Sequence, residues 1–322
     1  MRSKMMKMYK KWILGLLAGL SAVSLLAQTA DSRQSQARYQ ERYNLLVSSV
    51  GVDGVGVETL LDKWARDYPE DPDMLQARFL LNLARSRTVT VETRDQARWL
   101  DQQPLFSLKD SLGNDVRYFQ VARYDDTLFG VAVQSIDRAI QLYPERLDLR
   151  LAKITALMDY EQESPDMAVQ ELKSLIDYNT LQHPAWKYGA EDAGADLFDA
   201  SVQEYCYTFF KYATPAGYQA FRDLSEKMLS CEPGNILFMD NMGSYYLVAE
   251  KNNKMALKYY NKVLKAKPDD MTAIRNCILL ARNAKDVKLE KKYLPMMVRY
   301  AATDADRISA QARLDALNGK KK

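Results

Sequence analysis

Four prolines cut one helical pattern at matched positions, and this constrains the chain more than any other feature. From Ser32 to Leu317 apolar residues recur three and four apart, as in Leu45, Leu46 and Val50, in Val57, Leu60, Leu61 and Trp64, and in Leu75, Phe79 and Leu83. That spacing puts side chains on one face of an α-helix. The pattern stops at Tyr68-Pro69, Tyr143-Pro144, Glu232-Pro233 and Lys267-Pro268. Proline has no N–H to donate and pushes the residue before it out of the helical region, so a helix ends at each. Counting back from three of them gives one triad each time: Val57, Leu61 and Trp64; Ala132, Ile136 and Ala139; Ala256, Tyr260 and Val263. After each comes a short turn with acids, Glu70-Asp71, Glu145 to Asp148, and Asp269-Asp270, which suits the positive N-terminus of a following helix.

The spacing of the prolines gives the period and its interruptions. Pro233 and Pro268 are 35 residues apart, close to the roughly 34 of a helix-turn-helix repeat. Pro69 and Pro144 are 75 apart, and the excess falls on residues 86–126, the least helical segment. There Leu105–Lys109 and Val116–Val121 read as strands around the turn composition Asp110–Asp115, which predicts a small β-hairpin. It would cover a binding groove or pack on its own repeat. Pro144 and Pro233 are 89 apart, with the excess around Asn179–Ala195, a turn-rich stretch.

The stretch Ile236–Pro268 resembles a tetratricopeptide repeat (TPR). Met239, Met242, Gly243 and Tyr246 form the first face, Glu250–Lys254 the turn, Ala256, Tyr260 and Val263 the second face, and Pro268 the close. The resemblance extends to 129–160 and 57–85. It implies an all-α, TPR-like helical-hairpin superhelix with a small β-hairpin insertion, in which Gly243 and Ala256 let two helices approach. It also implies a concave groove that binds a protein or peptide partner and does no chemistry. The first helices would line it with Asp240, Asn241, Ser244, Arg275, Asn276 and Arg282. The family's carboxylate clamp, a Lys- and Asn-rich set, is matched at Arg275 and Asn276 but not at Asp240 or Leu151.

Residue inventory narrows the chemistry further. One histidine, His183, cannot build an HExxH or three-His metal site, and it sits in a turn before Trp186 with no nucleophile motif. Three cysteines, Cys206, Cys231 and Cys277, are too few for a disulfide scaffold, and they read as small buried residues; whether Cys206 and Cys231 pair stays open. No G-x-x-x-x-G-K-[ST] or G-x-G-x-x-G occurs, so no phosphate cradle is expected. Gly51, Gly54 and Gly56 read as a connector between two helices. The aromatic run Tyr205–Tyr212 reads as core. The acid pairs Asp125-Asp126, Glu191-Asp192 and Asp269-Asp270 sit where helix N-caps are wanted, and no metal or cofactor is expected.

The ends of the chain carry an address. Residues 1–11 hold five bases and no acid, and Trp12–Leu26 is apolar and short of the roughly 20 residues of a bilayer span. The expected organisation is a signal peptide 1–27, one helical domain 28–319 and a basic tail 320–322, with no stable membrane span after cleavage. No cysteine follows the apolar run, so no lipid anchor is expected. The formal net charge of +3 then changes sign: residues 28–319 carry 37 bases against 42 acids, which speaks against nucleic acid as a partner. The resulting expectation is an exported, non-enzymatic scaffold of a Gram-negative envelope, periplasmic or extracellular. Two other readings stay open: a carbohydrate-binding envelope protein with TPR-like helices, and a helical-toroid glycosidase using paired carboxylates.

Overall fold

The structure, a computed structural model, describes residues 27–319. The segment read as an export signal, up to residue 26, and the tail 320–322 lie outside the described residues. The described residues fall into two compact units that interleave in sequence. The first takes the described residues up to Ala97, then Gln103–Tyr160 and Pro184–Ala195. Its helices are α1 (Ala27–Val50), α2 (Val57–Asp67), α3 (Pro72–Ser86), α4 (Asp126–Leu142) and α5 (Leu147–Glu161, whose last residue is grouped with the second unit). The second takes Arg98–Gln102, Glu161–His183 and the chain from Asp196. It holds α6 (Asp166–Gln182), α7 (Leu197–Tyr212), α8 (Pro215–Cys231), α9 (Ile236–Val248), α10 (Asn253–Ala266), α11 (Met271–Asn283), α12 (Val287–Tyr300) and α13 (Asp304–Leu317). The architecture is all-α and TPR-like: α1–α2, α3–α4, α7–α8, α9–α10 and α11–α12 are antiparallel-type helical hairpins packed in series within their units.

All four prolines act as the sequence predicts. Tyr68, Tyr143, Glu232 and Lys267 are the C-caps of α2, α4, α8 and α10. Each donates its N–H to the carbonyl four residues back, at 2.7–2.9 Å. Each then accepts at its own carbonyl from the residue two after the proline: Asp71, Arg146, Asn235 or Asp270. This is a proline-initiated turn, and it delivers that residue to the start of the next helix. Asp71, Asn235 and Asp270 cap α3, α9 and α11 by accepting backbone N–H groups. Asp71 also accepts from Trp64 Nε1 at 2.9 Å, so one carboxylate ties the end of α2 to the start of α3. Arg146 departs from the rule and is buried between Asp148 and Asp73, at 2.7 and 3.1 Å.

The triads counted back from the prolines are the floor of the core: all nine side chains are at most 1% exposed. A fourth copy lies before Pro233, where Phe221, Ser225 and Met228 are at most 3% exposed. Gly243 and Tyr260 show why the pattern needs a small residue. A Cβ on Gly243 would lie 2.4 Å from Tyr260 Cε1, and the Tyr260 side chain is fully enclosed.

The insertion sits inside a hairpin, between α3 and α4. The expected strands are β2 (Phe106–Lys109) and β3 (Asp115–Tyr124), closed by Lys109 opposite Asp115. A third strand, β1 (Arg87–Arg94), pairs with β3 along its whole length, giving the order β1-β3-β2. The β-branched run Thr88-Val89-Thr90-Val91 carries that strand. Because β1 leaves α3 and β3 enters α4, their pairing brings Ser86 and Asp125 together (2.8 Å). The ends of the two helices are therefore joined as a short turn would join them, and the hairpin survives the insertion. Phe119 and Val121 anchor the sheet and are fully buried. The second excess segment carries β4 (Lys187–Tyr188) and β5 (Glu191–Asp192). Glu191 and Asp192 are thus strand residues and not the helix cap expected of them, because α7 starts only after Asp196.

Gly243→Ala tests the packing rule. Helix propensity favours Ala by about 1 kcal/mol, whereas overpacking a closed core costs about 1–3 kcal/mol. With the Tyr260 ring unable to retreat, urea unfolding is expected to show a net loss of stability; a gain of about 1 kcal/mol would contradict the close approach.

Candidate functional site

The first helices α9 and α11 pack side by side in the second unit, and they carry the six residues expected to line a groove. Their placements differ. Asn241 is 5% exposed. Its Nδ2 donates to Gln203 Oε1 at 2.6 Å and to Ser225 Oγ at 3.2 Å, and its Oδ1 accepts from Gln203 Nε2 at 2.9 Å. It therefore binds α7, α8 and α9 together from within. Ser244 and Asn276 are half-buried and meet at one atom. The Tyr260 hydroxyl lies 3.2 Å from Ser244 Oγ and accepts from Asn276 Nδ2 at 3.0 Å, which links α9, α10 and α11. A buried hydroxyl with partners on both sides fixes the register of a helix pair against its neighbour.

The two arginines reach outward to α12 and α13. Arg275 is exposed and pairs with Asp306 at 3.0 Å. Arg282 donates to Glu290 at 2.7 Å, and Arg313 donates to both Glu290 oxygens at 2.9 Å. Glu290 is 2% exposed, and the Arg313 and then Arg282 guanidiniums hold it below the usual carboxylate range. Both arginines thus serve the packing of the last helices as well as facing solvent.

Asp240 is the outlier. It is half-buried on α9, and its Oδ1 has no hydrogen-bond partner. Burial, reinforced by the neighbouring Asp270 carboxyl, pushes its pKa up to about 8, against a smaller opposing pull from Lys267. Asp270 goes the other way. Burial raises it, but the Ala273 N–H and Lys267 outweigh that and hold it below the ordinary range. The pair therefore carries one negative charge at neutral pH, on the cap residue, and Asp240 is a neutral acid.

The remaining candidates have structural duties. Asp125 caps α4 through the Leu128 N–H, and Asp126 accepts from the Tyr160 hydroxyl at 2.8 Å. His183 is exposed and closes α6 in the left-handed conformation (φ 45°). All three cysteines are free thiols. Burial pushes Cys206 and Cys277 up to about 12, which makes them poor nucleophiles. Tyr205 and Phe209 are buried as expected, while Phe210 packs on Tyr218 and Phe221 of α8. Gly51 and Gly56 turn the chain between α1 and α2 at φ 87° and 89°. Among the described residues no group of three or more His, Cys, Asp or Glu side chains is placed to hold a metal ion.

No family model matches the chain, and no curated protein matches it. Solved structures do. One, described as the functional characterization of Pseudomonas aeruginosa pilF, aligns with 11% identity and a TM-score of 0.37, covering 88% of this chain and 99% of that one. The flexible tandem repeat domain of a bacterial cellulose synthase component aligns with 15% identity and a TM-score of 0.28, covering 88% and 98%. A human IFIT1 dimer with m7Gppp-AAAA aligns with 13% identity and a TM-score of 0.28, covering 81% and 54%. Likeness at this level lends the chain no function.

Asp240 gives a pH test. A folded pKa of about 8 against an ordinary 3.8 means that the folded state binds the proton more tightly, so stability falls as pH rises between the two values. Asp240→Asn is expected to flatten that slope and to raise stability at pH 8.5 by about 1–3 kcal/mol, the scale of a buried unsatisfied group. Parallel urea titrations of both chains at pH 5 and 8.5 check this; equal pH slopes would contradict it.

Proposed function

We propose that this chain is a non-enzymatic, exported TPR-like scaffold that holds a protein or peptide partner on the surface of its first helices. The observation that supports this is the α9–α11 surface. A hydroxyl network through Ser244, Tyr260 and Asn276 holds the two helices rigidly, and Arg275 stands exposed beside it. A rigid backing with exposed polar ends binds a segment at small ordering cost. Asp240, neutral at pH 7, places no charge against an acidic partner, and Arg275 and Arg282 offer guanidinium forks to carboxylates. Export, to the periplasm or beyond, rests on the basic and apolar residues 1–26.

The test is in-envelope crosslinking followed by identification of captured proteins, with a charge swap as the control. Arg275→Glu combined with Asp306→Arg keeps the ion pair and reverses the charge at position 275 of α11. Thermal unfolding is expected to stay within about 2 °C of the parent, since exposed pairs contribute little, while partner capture drops several-fold. Undiminished capture by the swapped chain would remove the α11 surface from the binding site. Binding of glycan with no captured protein would favour the carbohydrate reading.

A further inference from the structure

Charge is sharply segregated along the chain. Residues 251–300 hold 13 Lys and Arg against 4 Asp and Glu, while the rest of 28–319 holds 24 against 38. A net +9 thus sits in a body that is otherwise −14, and a solvated helix surface has no need of such a concentration. The four acids within 251–300 are mostly committed. Asp270 and Asp286 cap helices, and Glu290 is enclosed by two arginines.

The bases converge on one face. α10 presents Lys254, Lys258, Lys262 and Lys265, all exposed, at the three- and four-residue spacing of a single helical flank. α12 lies alongside, since Lys292 Nζ and the Tyr293 hydroxyl both donate to Asn261 Oδ1 of α10, at 3.2 and 2.8 Å, and it adds Lys288 and Lys291. Among the six lysines from 251 to 267 the ion pair formed is that of Lys267 with Asp270. Val248 and Val287 are 41% and 46% exposed. They flank the turns that carry Lys251 and Lys285. Tyr246 and Tyr259 stack beside Lys262, whose ammonium lies 5.2 Å from the Tyr259 ring centre.

We propose that the α10–α12 face docks on an anionic phospholipid surface. The charges are lysines, compact point charges without the fork that reads one carboxylate or phosphate in a fixed geometry, so they suit a diffuse sheet of headgroups. Exposed valines and half-buried tyrosines beside them suit the boundary between headgroup and acyl chain. No helix among the described residues is long and apolar enough to cross a bilayer, and the contact is peripheral. The lysines of this face lie on α10 and α12 and not on α9 or α11, and the proposal does not depend on the partner-binding reading.

Lysine footprinting of the full chain tests it, because each side chain reports for itself and adhesion through residues 1–26 does not mask the result. Acylation of Lys254, Lys258, Lys262 and Lys288 is expected to fall about five-fold or more on phosphatidylglycerol-containing vesicles at low salt, and to recover at about 0.5 M salt. Lys63 and Lys109 should not change, nor should any of these lysines respond to phosphatidylcholine vesicles. In a Lys258→Glu, Lys262→Glu variant, where both sites are exposed, protection of Lys254 and Lys288 should be lost. Equal labelling with and without anionic vesicles overturns the proposal. So does protection by poly-glutamate or duplex DNA in place of vesicles, or lipid-free protection that grows with protein concentration, which would identify an acidic protein, nucleic acid or a second copy as the occupant.

Discussion

The structure depends on one repeated constraint, a helix that must end before a proline and hand over to the next helix two residues later. A C-cap N–H satisfied four residues back and a turn closed on the C-cap carbonyl recur at Pro69, Pro144, Pro233 and Pro268, and a cap residue ends the turn at all but Pro144. Because the turn fixes where each second helix stops, positions 5, 8 and 12 before the proline always face inward. Packing then follows: the triads are buried, and burial on the order of 25 cal/mol per Å² outweighs the modest contribution of each turn hydrogen bond.

Within this frame the side chains at equivalent positions diverge, and the divergence sets local character. The middle triad position is Leu61, Ile136, Ser225 or Tyr260. Where it is Leu61 or Ile136 the triad carries no hydroxyl. Where it is Ser225 or Tyr260 a buried hydroxyl recruits Asn241, or Ser244 and Asn276, into a polar network. The second unit is accordingly held by oriented hydrogen bonds as well as by apolar area.

Much of this was legible in the sequence. The helix ends, three of the four triads, the β2–β3 hairpin and the cap roles of Asp125 and Asp270 follow from spacing and composition, and the close approach at Gly243 from the TPR resemblance. The Phe221, Ser225 and Met228 triad escaped because serine stands where an apolar residue was sought. β1 escaped because its β-branched run directly continues a helix with no break between them. The site was less legible. Asn241, Ser244 and Asn276 look like surface polars in a one-dimensional pattern, yet each has a partner 16 or 38 residues away. The raised pKa of Asp240 arises from burial and then from Asp270, at the start of another helix, and no local spacing encodes either.

Hydrogen exchange of the full chain, followed by mass spectrometry at peptide resolution, tests the proline-registered stack most directly. The account predicts slow exchange through 57–68, 132–143, 221–232 and 256–267, with protection breaking off at each proline and resuming in the helix that follows. Protection running unbroken across Pro69, Pro144, Pro233 or Pro268, or fast exchange throughout any of the four segments, would contradict it.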